Sequence, residues 1–135
     1  MRKIENNAHL DLLLSEHRAV VFLSVDWAMH ARHSARVAQR LIERWNREQT
    51  DAPLVLSMIN LTEQTGEMWD SVADWLAAQD IHDSNALMYG GVGPIIWLQS
   101  GRIVQYVTDA SAETDDALID RMVQAFADNQ TENAT

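Results

Sequence analysis

The chain contains no cysteine, and that absence removes one whole chemistry. Thiol–disulfide exchange needs a thiolate as the attacking group, so this chain cannot carry it out unaided. No disulfide can staple it, which suits a reducing, cytoplasmic setting. Cations are scarce: ten Lys and Arg face twenty Asp and Glu, for a net charge of -10. That balance excludes a general basic footprint for nucleic acid or anionic membrane surfaces, so neither partner is expected. Long apolar runs are also missing. No window approaches the roughly 20 apolar residues that span a bilayer. Glu5, Asp11 and Glu16 interrupt the start of the sequence, so no secretory signal is expected.

What is present points to one domain. At 135 residues and 47% hydrophobic composition, the chain can bury a single core. Residues 1–128 are expected to form that domain. The polar tail 129–135 has nothing to bury and is expected to be disordered.

Asn6 or Asn7 can cap a short helix carrying Leu10, Leu13 and Leu14 at helical spacing. The β-branched run "AVVFLSV" at 19–25 reads as a strand buried on both faces. From about 31 to 49, Val37, Ala38, Leu41, Ile42 and Trp45 mark one buried helical stripe. Residues 53–61 form a second apolar strand headed by Pro53. Thr65 can cap the next helix, which carries Met68, Trp69, Val72, Trp75 and Leu76 and runs to 79. Residues 80–91 read as loop. Residues 94–108 read as two strands joined at Ser100-Gly101. A last helix is expected from near Ser111, with Ala117, Leu118, Met122, Val123 and Phe126 facing the core. Strands separated by helices run parallel, and a hairpin adds antiparallel ones. The expected class is therefore an α/β three-layer α/β/α sandwich with a mixed central sheet.

Two local stretches give this order a resemblance. "VDWAMHARHSARV" at 25–37 and "GVGPIIWLQSGRIV" at 91–104 are similar to the active-site run and the proline run of the thioredoxin-like family. With Trp27-Ala28 set on the family's Trp-Ala, the two cysteine positions of the CxxC motif fall on Ala31 and Ser34. Pro94 falls on the family's cis proline. Two departures accompany the match. The family's buried acid falls on Val25, beside Asp26, and its helix-kinking proline falls on Gln39. The resemblance implies a divergent, redox-inactive member with no catalytic residue and no cofactor. It implies a binding surface of Trp27, Met29, His30, Arg32, His33, Val92, Gly93, Pro94 and Ile95, suited to a protein or peptide partner. That makes a noncatalytic adapter or chaperone-like module the leading expectation.

His30 and His33 are spaced to share a metal, but two ligands do not make a site. An enzyme using them, or a glutathione-like ligand held by the Pro94 backbone, is the alternative reading. Ser34 beside His30 or His33 lacks the motif of a nucleophile elbow and reads as a helix-start residue. Arg32, Arg36, Arg40, Arg44 and Arg47 form a ridge along the long helix, interrupted only by Glu43 among charges up to Arg47. Such a ridge either docks an acidic partner or pairs with local carboxylates, and pairing is favoured. Trp45, Trp69, Trp75 and Trp97 occupy core-phase positions.

Overall fold

A computed structural model describes residues 1–26, 28–49, 53–62, 66–79, 87 and 93–133, with side chains to Phe126. In chain order the elements are β1 (Arg2–Lys3), α1 (Asn7–Ser15), β2 (Arg18–Ser24), α2 (Met29–Glu48) and β3 (Leu56–Asn60). They continue with α3 (Glu67–Ala78), β4 (Ile95–Gln99), β5 (Arg102–Val107), a 3-10 turn (Ala110–Ala112) and α4 (Asp115–Asn133). The sheet order is β1-β3-β2-β4-β5. β2 pairs parallel with β3 and antiparallel with β4, so the sheet is mixed as expected. β1 is too short to show any periodicity in sequence, and it adds one parallel pair at the edge of β3.

β2 alternates its buried residues between two cores. Ala19, Val21 and Leu23 join Leu10, Leu13, Val72 and Leu76 of α1 and α3 on one face. Val20 and Phe22 join Val37, Leu41, Trp45, Leu118 and Met122 of α2 and α4 on the other. This two-sided burial explains the continuous apolar run, because neither face of the strand meets water. Asn6 caps α1 by accepting the His9 N–H at 2.9 Å. The hairpin between β4 and β5 turns at Ser100 and Gly101 with φ of 49° and 80°, the two positive values a tight two-residue turn demands.

The last helix differs from the expectation at both ends and in its buried face. The last helix does not begin at Ser111. Asp109 and Ser111 instead build a separate 3-10 turn, and α4 starts at Asp115. Its inward stripe is Leu118, Ile119, Met122, Ala125 and Phe126, while Val123 is 45% exposed. The helix continues to Asn133, past the expected end near Asp128. The expected cap Thr65 and the loop assignment at 80–91, apart from Leu87, lie outside the described residues. Leu87 itself is buried in the α1/α3 core.

Among the tryptophans, Trp97, Trp45 and Trp75 are buried and Trp69 packs at the edge of the α1/α3 core. Trp75 also donates its indole N–H to the Gly101 carbonyl at 3.1 Å, tying α3 to the hairpin turn.

Candidate functional site

β2 ends at Ser24 and delivers the chain to the N-terminus of α2. Helical spacing then decides which of the next residues are available. Ala31 and Ser34 point inward and are both 0% exposed. Met29, His30, Arg32 and His33 point outward, and Met29 is 83% exposed. Trp27 and Val92, both expected in the binding surface, lie outside the described residues.

Opposite Ser34 lies the proline segment. Gly93 has φ of 80°, and a Cβ placed on it would sit 2.5 Å from Ser34 Cβ and 2.9 Å from Phe22 Cε2. Only glycine fits, because the backbone of one segment touches the side chain of the other. The Gly93–Pro94 peptide is trans, and no cis peptide bond occurs among the described residues. The expected cis geometry is thereby corrected: positive φ at Gly93 turns the chain into β4 without it, and trans is the ordinary X-Pro state. Gly93, Pro94 and Ile95 are all buried. The Gly93 carbonyl accepts the Ala110 N–H at 3.2 Å, and the Pro94 carbonyl accepts the Leu23 N–H at 3.2 Å. Those carbonyls are spent internally instead of facing a ligand.

The 3-10 turn closes over the same helix end. Asp109 Oδ1 and Oδ2 each lie 2.9 Å from His30 Nε2. The Ser111 hydroxyl donates to Asp109 Oδ1 at 2.7 Å, and the Ser111 N–H donates to the same oxygen at 3.0 Å. Ser34 Oγ stands 3.5 Å from Asp109 Oδ1, at the long limit of a hydrogen bond. Partial burial pushes the Asp109 carboxyl upward, but the Ser111 hydroxyl and then His30 outweigh it, so its pKa lies below the usual carboxylate value. Asp109 is therefore ionised at neutral pH. His30 and Asp109 sit 79 positions apart, and nothing local in the sequence joins them.

A serine, a histidine and an aspartate in contact invite comparison with a nucleophilic triad, and the geometry rejects it. In a triad one imidazole nitrogen faces the acid and the other faces the hydroxyl. Here the single Nε2 meets both, with Ser111 Oγ at 2.7 Å. Its proton goes to Asp109, so the same nitrogen has no lone pair left to take a proton from Ser111. Ser34 is wholly buried and is no nucleophile either. The cluster works as a clasp fastening the turn after β5 to the start of α2.

His30 and His33 share no third ligand: among the described residues, no group of three His, Cys, Asp or Glu is placed to hold a metal ion. The arginine ridge divides. Arg40 meets Asp115 at 3.3 Å, and Arg44 meets Asp116 at 2.7 Å and Glu48 at 3.0 Å. Asp116 first and then Glu48 hold the Arg44 guanidinium in its charged form. These pairs link α2 to the first turn of α4. Where the family carries its buried acid, Val25 is buried, and the exposed Asp26 carboxylate accepts from Asn60 Nδ2 at 2.7 Å. α2 runs unbroken through Gln39.

No protein-family model and no curated protein matches this chain. Solved structures do. A mutant thioredoxin from Halobacterium salinarum aligns with a TM-score of 0.59 at 18% identity, covering 92% of this chain and 88% of that one. Thioredoxin f2 from Chlamydomonas reinhardtii gives 0.58 at 16% identity over 92% of this chain and 94% of its own. Plasmodium falciparum thioredoxin gives 0.54 at 15% identity, with 89% and 97% covered. The class is thus settled: this is a thioredoxin fold. It is a thioredoxin fold without a cysteine, with Ala31 and Ser34 at the positions set on the motif cysteines and a His30–Asp109–Ser111 clasp over them. No helix among the described residues is long and apolar enough to cross a membrane.

Proposed function

We propose that this protein is a noncatalytic binding module, an adapter or chaperone-like domain that contacts a protein or peptide partner through the exposed start of α2. The observation carrying the reading is the pairing of a shut interior with a presented exterior. Ala31 and Ser34 are wholly buried and Ser34 is packed against Gly93, while Met29 stands 83% exposed beside the exposed His30, Arg32 and His33. An exposed methionine among cationic and imidazole groups makes an adaptable contact with apolar and acidic surfaces. The His30 clasp gives that surface a fixed frame. The burial of Gly93, Pro94 and Ile95 leaves the contact to the α2 residues, and a cytoplasmic location fits the cysteine-free chain.

The test is capture of a partner by wild-type protein and by two variants, Met29→Glu and Arg32→Glu, with circular dichroism confirming the fold of each. Capture should fall at least tenfold in each variant. Equal capture by all three proteins would overturn the reading. So would a saturable rise in melting temperature with zinc or glutathione, which would favour a ligand-using enzyme; a ligand at 100 times its Kd adds about 2.7 kcal/mol.

A further inference from the structure

The exposed cations of α2 fall into two groups. Arg40 and Arg44 are tied to Asp115, Asp116 and Glu48. Arg32 and Arg36 are exposed as well, yet among the described residues no side chain pairs with either of them or with His33. Twenty Asp and Glu face ten Lys and Arg in this chain, so two neighbouring arginines without a carboxylate run against the general balance. Their isolation has a cause in the sequence. No acid occurs from residue 27 to residue 42, a span that holds Arg32, Arg36 and Arg40. Among the described residues, the acids of α4 reach back along α2 only as far as Arg40.

Helical spacing gathers the free groups into one strip. Side chains three and four positions apart are neighbours on a helix, so Met29, Arg32, His33 and Arg36 make a continuous exposed row. At a rise of about 1.5 Å per residue the row is about 10 Å long. Ala31, Ser34, Val37 and Ala38 are buried on the opposite side of the same turns, which fixes the direction in which the row faces. His30 is no part of it, because Asp109 and Ser111 already hold that ring. Met29 makes one end of the row apolar and adaptable. The rest offers two guanidinium groups, whose planar forks match carboxylates two bonds at a time.

Charge complementarity selects the occupant. A symmetric dimer through this row would set Arg32 and Arg36 against their own copies. It would also bring together two chains of net charge -10, so a second copy is opposed twice over. Two arginines on so acidic a chain give no track for a nucleic-acid backbone either. We propose that the row docks a short acidic segment of another protein, with Asp or Glu carboxylates on Arg32 and Arg36 and an apolar side chain laid on Met29. This partner chemistry rests on the reading of the α2 start as a docking surface, and it adds Arg36 to the contact.

The probe is a fluorescein-labelled octapeptide of aspartate and glutamate with one central leucine, titrated into the full chain and read by anisotropy and by amide chemical shifts. Saturable binding is expected, with the largest shifts from Met29 to Arg36. Affinity should fall about tenfold or more in Arg36→Glu, and likewise in 1 M salt, where screening acts within about 3 Å. Arg36→Gln should show an intermediate loss and guards against misfolding of the charge reversal. A peptide with glutamine and asparagine in place of its acids should not bind, and replacing its leucine by serine should weaken it. No saturable binding, an unchanged affinity in both Arg36 variants, equal binding of the uncharged peptide, or binding indifferent to salt would each overturn the acidic partner. A single-stranded DNA oligonucleotide that binds as tightly as the peptide would overturn it too, as would a dimer that light scattering shows Arg36→Glu to dissociate. Should the acidic partner fail while Met29→Glu and Arg32→Glu still abolish capture, the docking surface stands and only its chemistry falls. Equal capture by those two variants and wild type removes the surface itself.

Discussion

At the scale of single residues, the contact between Gly93 and Ser34 determines how much space remains where a reactive group would sit. Alanine at position 93 would place a methyl 2.5 Å from Ser34 Cβ while holding φ at 80°. Overpacking of this kind costs roughly 1–3 kcal/mol, and the left-handed backbone adds about 1 kcal/mol. Gly93→Ala should therefore lower stability by about 2–4 kcal/mol in urea denaturation. In a Ser34→Gly background the added cost should shrink, since the closest obstacle is gone; a double-mutant cycle measures that coupling. Additive losses would show that the two residues do not press on one another. Asp109 gives a prediction with a pH dependence. Its folded pKa lies below the usual value, so the ionised clasp stabilises the fold above the unfolded pKa and loses that contribution as pH falls below about 4. Asp109→Asn should be less stable than wild type at pH 7, with the difference narrowing towards pH 3. A difference that stays constant across those urea midpoints would refute the clasp as drawn.

At the scale of elements, the ion pairs between α2 and α4 account for Arg40 and Arg44 of the five-arginine row along α2. Arg40 and Arg44 reach Asp115 and Asp116 in the first turn of α4, where acids also suit the helix dipole. Arg44→Ala should lower the thermal midpoint slightly in dilute buffer and lose that effect in 1 M salt, where screening acts within about 3 Å. Exchanging the charges through Arg44→Asp with Asp116→Arg should recover part of the loss, and failure to do so would show that the pair is incidental. Such pairs mark what a sequence reveals and what it hides. The stripe of Val37, Leu41 and Trp45 was legible because helical periodicity is local, and the Ser100-Gly101 hairpin because positive φ has a residue signature. Asp109 carries no sequence signal of its own and Ser111 reads only as a helix start: their partner His30 lies in another element, and no periodicity spans that distance. On α4 the buried stripe is completed by Ile119 and Ala125, which leaves Val123 on the exposed side. The trans bond before Pro94 was hidden for a different reason: expectation there came from a resemblance, whereas local backbone conformation at Gly93 decided it.

At the scale of the molecule, one sheet separates two cores, and β2 belongs to both. Val21 and Leu23 pack under α1 and α3, while Val20 and Phe22 pack under α2 and α4. Neither core can lose its sheet face without stripping the other, so the fold should melt as a unit. Leu13→Ala in the first core and Phe126→Ala in the second remove fully or almost fully buried side chains. The expected losses are about 2–5 and 3–5 kcal/mol, a large share of the roughly 5–15 kcal/mol available to a domain. Both variants should show a single transition, with tryptophan fluorescence and far-ultraviolet circular dichroism coinciding. The fluorescence is diagnostic because Trp45 and Trp97 report on the α2/α4 core and Trp75 on the other. If Leu13→Ala released α1 and α3 while Trp45 and Trp97 kept their buried emission to a second, later transition, the sheet would not be transmitting stability between its faces. A shared β2 would then be a fact of geometry without energetic coupling, and the α2 surface would rest on a core that stands without its neighbour.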